Sequence, residues 1–311
     1  MDCILMARKS QHSHCLSGGQ MDWLAPAAGV AIILFLLRDI FHTLGHPEGQ
    51  GSLSRFVLST IWRMSRLRVG RLARLTGPVA LLSVIIVWGT LAVMGWALLY
   101  WPFVPTGFVY ASGSSAGSSN HALDALYISM TTISTLGFGD IVPAPGWLRI
   151  ITPLEALFGF ALLTVTVSWV LQIYPALARR RALAIRLSLL CRTELHTRLG
   201  DANSVLLPGV LDLLSTNIIQ ARVDLSEYSE TYYFRDDDPN TSLAATLPYA
   251  AELARIGATS SQSDMRLAAN LLNCALEDFT GILKTRFPHC DANVSELLSA
   301  FAADHGNRPK S

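Results

Sequence analysis

Charge is the first thing this sequence lacks. Asp, Glu, Lys and Arg make up 15% of its 311 residues, where an ordinary soluble domain carries about 25%. The hydrophobic share is 51% and the mean hydropathy is +0.37. That balance excludes a single water-soluble globule and indicates a membrane protein. Net charge is only +1, so no bulk field of either sign points to a nucleic-acid partner. Cysteine is scarce and unpatterned. Cys3, Cys15, Cys191, Cys274 and Cys290 are odd in number and include no CxxC, which leaves no obvious disulfide framework or zinc ribbon. No GxGxxG follows a strand-like run, which argues against a Rossmann-type regulatory domain, and the spacing of a calcium-binding EF-hand is missing too. No catalytic constellation stands out, so the chain does not read as an enzyme and no cofactor is expected.

Long apolar runs are present, three of them. Trp23–Leu37 holds fifteen residues before Arg38-Asp39. At 1.5 Å per residue it reaches about 22 Å, short of a ~30 Å hydrocarbon core. It spans only if the helix continues past Arg38 with that side chain snorkelling; the alternative is a buried amphipathic anchor. Val79–Trp101 holds twenty-three residues without a charge and ends on Tyr100-Trp101, as an interfacial belt does. Pro153–Tyr174 holds twenty-two, with Glu155 its only charge. Thr152-Pro153-Leu154-Glu155 reads as a capping box with proline at the first helical position, and Glu155 could also brace a neighbouring helix through Ser129 or Thr131. No further run of eighteen apolar residues occurs in the 137 from Pro175 onward.

Charge sets the orientation. Arg55, Arg63, Arg66, Arg68, Arg71 and Arg74 precede the second run, and Arg179, Arg180, Arg181 and Arg186 follow the third. Positive loops stay cytoplasmic, so 102–146 faces outward. The basic segment has Leu58, Ile61, Trp62, Val69, Leu72 and Leu75 on one helical arc and Arg63, Arg66, Arg71 and Arg74 on the other. It reads as an interfacial helix under the inner leaflet, with Trp62 and Met64 facing lipid. Its arginine spacing breaks at Arg68 and it is too polar to span, which disfavours a voltage sensor. The expected fold class is therefore an all-α membrane protein. Residues 1–20 make a poor signal peptide and are expected to be disordered or to lie upstream of a true start at Met21. An N-terminal membrane helix covers 21–44, the basic amphipathic segment 45–78, a two-helix domain 79–174 and a helical cytoplasmic domain 175–311. The expected location is the plasma or inner cell membrane, multi-pass, with a cytoplasmic C-terminus.

Chemistry concentrates in the outer segment. Ala111–Asn120 is rich in Ser and Gly and reads as an exposed turret. A short helix over 123–134 then runs into Thr135-Leu136-Gly137-Phe138-Gly139-Asp140. Non-helical backbone at membrane depth is tolerated only where protein buries it or water reaches it. Alternating glycines let successive carbonyls turn the same way, and aligned carbonyls can replace the hydration shell of a monovalent cation.

Thr135–Asp140 resembles the selectivity filter of potassium channels, whose common form is TVGYGD. Leu126–Ser134 is similar to the pore helix of that family, and Ile141-Val142-Pro143 follows as in many members. The resemblance covers 79–174, with outer helix 79–101 and inner helix 153–174. The extra N-terminal helix and helical tail resemble a bacterial branch of the two-helix pore superfamily. It implies that the carbonyls of Thr135, Leu136, Gly137 and Phe138 bind the permeant potassium, the only ion expected, with the Thr135 hydroxyl closing the innermost site. Gly137 and Gly139 supply the backbone angles and Asp140 concentrates cations at the mouth. Tyr127, Thr131, Thr132 and Glu155 support the filter, and the end of the pore helix aims its negative dipole at the cavity. Gly159 falls where the family often has its gating hinge. The gate lies near Trp169–Tyr174, with Pro175 ending or kinking the helix. Leu136 and Phe138 replace valine and tyrosine, so a phenol hydroxyl is missing, and Thr131 stands where some members have a glutamate paired with the mouth aspartate. One loop cannot enclose an ion path, so a homotetramer in a lipid bilayer is expected. The expected function is passive potassium transport. A non-selective cation channel and a non-conducting sensor or scaffold are the alternatives.

The tail carries no ligand motif. Helices are expected over 176–199, 205–225, 243–256, 264–287 and 294–303, with a loop over 231–240. Asp236-Asp237-Asp238 before Pro239 reads as a solvated turn rather than a cation site. His289-Cys290-Asp291 lacks metal-ligand spacing, and His42 and His46 read as interfacial.

Overall fold

The computed structural model describes residues 23–43, 51–66, 75–111, 120–144, 146–199, 206–286 and 293–306. The expectations for 1–20, for most of the turret, for His46, for Arg68 to Arg74 and for His289-Cys290-Asp291 lie outside those residues. Among the described residues three helices are long and apolar enough to cross a membrane: α1 (Trp23–Thr43), α3 with its following turn (Thr76–Phe103), and α5 (Leu148–Arg192). Between them lie α2 (Ser52–Arg66), β1 (Phe108–Tyr110), α4 (His121–Ile133) and β2 (Ile141–Pro143). After α5 come α6 (Leu195–Arg198), α7 (Leu206–Glu227), α8 (Leu243–Ala258), α9 (Ser263–Arg286) and α10 (Val294–Asp304). Two compact bodies result. One holds 1–45, 51–54 and 82–169; the other holds 46–50, 55–81 and 170–311.

In the first body α1 does continue past Arg38, to a length of 21 residues, or about 31 Å. It lies against α3 at a pair of glycines. A Cβ built on Gly29 would fall 2.5 Å from the Gly95 carbonyl, so the two backbones touch, as small residues allow in membrane helix pairs. At the C-terminal end of α1 the Asp39 carboxylate is buried. It accepts from the Ser54 hydroxyl at 2.8 Å, the Leu53 amide at 2.9 Å and the Trp88 indole N–H at 3.1 Å. Asp39 thereby satisfies an otherwise unpaired amide at the start of α2 and ties α1, α2 and α3 together. The sequence marks this residue only as a charge interrupting an apolar run.

Helix α5 corrects two expectations. It starts at Leu148, after Gly146, and not at Pro153. Thr152 is not an N-cap: its hydroxyl donates back to the Leu148 carbonyl at 2.9 Å. The helix also runs on past Pro175 to Arg192. A proline removes one hydrogen bond from a helix, and the apolar faces on either side of this one hold the helix together.

The second body is a helical tail. α7 and α8 both pack on α9, and the helices bury Leu211, Leu214 and Ile218 of α7, Leu247, Ala250 and Leu253 of α8, and Ala269, Leu272 and Leu276 of α9. The 231–240 loop starts inside a 3-10 turn (Ser229–Tyr233). Asp236 is not solvated; it accepts from Arg180 at 3.1 Å and Arg181 at 2.7 Å. Asp238 closes a turn by accepting the Asn240 amide at 2.9 Å. Among the described residues no group of His, Cys, Asp and Glu could hold a metal.

Trp62 is a further correction. It does not face lipid. It is buried with ring centroids 5.8 Å from Tyr232, 5.7 Å from Tyr233 and 5.3 Å from His305, and the Arg235 guanidinium stands 4.2 Å over its face. Leu58, one turn earlier, is buried as well, while Met64 is exposed. The apolar arc of α2 belongs to the tail core. A helical wheel reports that a face is apolar and not what covers it.

His305 in this cluster sets a pH dependence. Its ring nitrogens lie 3.0 Å from the Phe301 carbonyl and 2.8 Å from the Tyr232 carbonyl. Burial first, and the Arg180 charge second, push its pKa down to about 4. The unfolded chain binds this proton near pH 6.5, so between pH 6.5 and about 4 the unfolded state holds more protons. Stability is full above pH 6.5 and falls with acidification, by about 3 kcal/mol at pH 4 if this group acts alone. Thermal unfolding of the tail at pH 7.5 and 5 is expected to show the drop, and His305→Gln to flatten it. An equal drop in the variant would assign the acid sensitivity elsewhere.

Candidate functional site

The loop between α4 and β2 is built from the end of α4 outward. Asn120 caps α4 by accepting the Ala122 amide at 3.1 Å. Asp124 sits in the first turn, where negative charge suits the helix dipole. The C-terminal carbonyls of α4 are taken by the loop itself. Thr135 N–H donates to the Thr132 carbonyl at 2.9 Å, and the amides of Leu136 and Gly137 both donate to Thr131, at 2.9 and 3.3 Å. Every second residue then turns left-handed: φ is +57° at Thr135, +53° at Gly137 and +80° at Gly139. With the amides turned back toward α4, the carbonyls of Thr135, Leu136, Gly137 and Phe138 accept no hydrogen bond among the described residues. Leu136 and Phe138 are 60% and 67% exposed. A Cβ on Gly137 or Gly139 would meet nothing within 4 Å, so glycine is needed there for its φ and not for space.

The loop is tied down at its far end. The Tyr127 hydroxyl donates to Asp140 Oδ2 at 2.7 Å, and the Ala111 amide donates to the Asp140 carbonyl at 2.8 Å. Beyond it β1 and β2 pair antiparallel, Phe108 opposite Pro143 and Tyr110 opposite Ile141. The Tyr110 hydroxyl reaches Asp124 at 2.8 Å. Burial and this carboxylate push the Tyr110 phenol up to about 12, which keeps it a donor. The ribbon was not foreseen: three-residue strands fall below what an alternating pattern can signal.

The supporting residues divide. Tyr127 meets Asp140 and so gives the loop a brace that does not involve position 138. Thr131 does not reach Asp140; its hydroxyl lies 2.9 and 3.0 Å from the Tyr127 and Ile128 carbonyls of its own helix. Its contribution, like that of Thr132, is a backbone carbonyl. Glu155 is fully buried. Its carboxylate accepts from the Tyr100 hydroxyl at 2.7 Å and lies 2.6 Å from the Ser129 hydroxyl, which also sits 3.0 Å from the Val93 carbonyl. One carboxylate thus joins α3, α4 and α5, and the helix-cap role is excluded by the start of α5 at Leu148. Tyr100 and Val93 are partners that sequence reasoning missed; they follow three spacings of the chain that only the tertiary fold brings together. Gly159 lies within an unbroken helix, and a Cβ there would fall 2.3 Å from the Ile133 carbonyl. Close packing of α5 on the end of α4 accounts for this glycine. Trp169 is buried with its ring centroid 5.5 Å from that of Trp88, so it packs on its own chain.

Comparison with known proteins places this arrangement. The family model described as "Ion channel" matches residues 80–174. An uncharacterised membrane protein of Bacillus subtilis, YdjJ, is 26% identical over 161 residues, covering 50% of this chain and 46% of that protein. Two-pore potassium channel 5 of Arabidopsis thaliana is 39% identical over 58 residues, 18% of this chain and 14% of that one. A putative potassium channel protein of Rhodopseudomonas palustris is 30% identical over 80 residues, 25% of this chain and 19% of that one. The chain spans less than half the length of each of these relatives. No solved structure matches. The chain is an all-helical membrane protein whose segment 80–174 is similar to the ion-channel family.

Proposed function

We propose that this protein is a potassium-selective channel, passing the ion passively down its gradient as a homotetramer in the cell membrane, with its tail in the cytoplasm. The carrying observation is the run of four consecutive carbonyls, Thr135 to Phe138, that accept no hydrogen bond among the described residues while the amides of Thr135, Leu136 and Gly137 turn back to α4. Carbonyl oxygens in series are the ligands that a dehydrated monovalent cation requires. Exposed non-helical backbone is not tolerated in lipid. One loop cannot surround an ion, so four copies around an axis supply both the missing walls and the missing ligands. The Thr135 hydroxyl closes the inner end and Asp140 concentrates cations at the outer end. Relatives named as potassium channels support the choice of ion.

Purified protein in liposomes, tested under potassium and then sodium gradients, decides the reading. Potassium flux well above sodium flux is expected. Equal fluxes replace it with a non-selective cation channel, and a silent protein in which Gly137→Ala also leaves the cellular role unchanged replaces it with a scaffold.

A further inference from the structure

The tail-side part of α5 has two unlike faces. Ile173, Ala176, Leu177, Leu183, Ala184 and Leu187 are buried. On the same side Arg180 donates to the Thr231 and Phe234 carbonyls, and Ser188 meets Asn240 at 2.9 Å. This face is covered by the chain's own tail. The opposite face carries Leu171, Pro175, Ala178, Ala182, Ile185 and Leu189, all exposed. Leu171 is 66%, Ile185 43% and Leu189 51% exposed. At 100° per residue these six fall within an arc of about 80°, spaced alternately four and three apart. That is the spacing of a helix-bundle seam and not the polar outer face that an isolated helix shows to water. Arginines border the stripe on both sides. Arg179 and Arg181 are each paired to an acid of their own tail, Asp224 at 2.7 Å and Asp236 at 2.7 Å, which lowers the like-charge repulsion between neighbouring copies.

We propose that this stripe is covered by the same stripe of the other copies, so that residues 171–189 of four chains form a parallel helical stalk. The inference rests on the tetrameric pore reading, because four copies around one axis bring four α5 helices side by side in register. Counted back along the sequence, the same three-four spacing reaches Ser168 and Thr164, which are exposed as well.

Disulfide cross-linking of the full chain tests this. In a background with the five cysteines replaced, Ala182→Cys, Ile185→Cys and Leu189→Cys are expected to give dimer bands several-fold stronger under mild oxidant than Arg181→Cys and Arg186→Cys on the borders. Equal cross-linking at all five positions, or none at the three stripe positions, overturns the stalk. Flux on the same reconstituted samples separates the two readings. Conduction without stripe cross-linking leaves the pore standing and removes the stalk. Stripe-specific cross-linking in samples that never conduct, whatever the gradient, keeps the interface and removes the channel.

Discussion

Gly137→Ala is expected to abolish selective potassium flux while leaving expression, helicity and oligomeric size unchanged. The two halves of that expectation have separate causes. A Cβ at position 137 meets nothing within 4 Å, so the substitution creates no clash within the chain and the fold tolerates it. The φ of +53° lies in the left-handed region, which costs an L-residue roughly 1 kcal/mol or more. In the proposed four-copy pore the cost rises to about 4 kcal/mol, or roughly three decades in the population of the left-handed backbone. Relaxation to a right-handed φ swings the neighbouring carbonyls out of line. Liposome flux is the measurement. An alanine variant that conducts with unchanged selectivity would remove positions 135–138 from the ion path.

Glu155→Ala is expected to lower both stability and conduction, and Glu155→Gln to do much less. The carboxylate is fully buried and serves two hydroxyls on two other helices. Alanine strands the Tyr100 hydroxyl, and strands Ser129 unless it turns wholly to Val93. Each unsatisfied buried group costs about 1–3 kcal/mol, so a loss of about 3 kcal/mol or more is expected. Glutamine keeps one acceptor and offers its amide to the second hydroxyl, for a loss of about 1 kcal/mol. Thermal unfolding in detergent, with potassium flux beside it, reads the difference. Equal effects of the two substitutions would mean that the carboxylate itself is required at this site and that an amide of the same size cannot replace it.

How much of this was legible in the sequence depends on the range of the interaction. The apolar runs, the short helix before Thr135 and the Thr135–Asp140 hexapeptide are local, and composition and spacing are enough to find them. Local rules also misled. Thr152-Pro153-Leu154-Glu155 has the side chains of a helix start, yet Gly146 lets the helix begin at Leu148, and a buried three-way contact claims the glutamate. Pro175 looked like a stop because propensity is judged one residue at a time, while α5 is held by packing on both sides of it. Trp62 showed an apolar face but not its partner, since Tyr232, Tyr233 and His305 lie more than 160 residues on. Gly159 was placed only through the resemblance, as a gating hinge; the Ile133 carbonyl that a Cβ there would strike was not legible. Asp39 was visible as an acid in an apolar run, but its donors come from Leu53, Ser54 and Trp88.

That knot at Asp39 bears on the order in which the chain is built. The carboxylate leaves the ribosome with α1, before any of its donors. Leu53 and Ser54 follow within one short segment, but the indole of Trp88 arrives only once half of α3 has been made. Until then α1 carries an unmatched acid next to an apolar run, which favours holding it beside the insertion machinery rather than releasing it alone into lipid. α1 and α3 would then leave as a pair, already pressed together at Gly29 and Gly95. Removing α1 would be no trimming of an anchor: it would leave the amide of Leu53 and the ring nitrogen of Trp88 to be newborn groups without a mate.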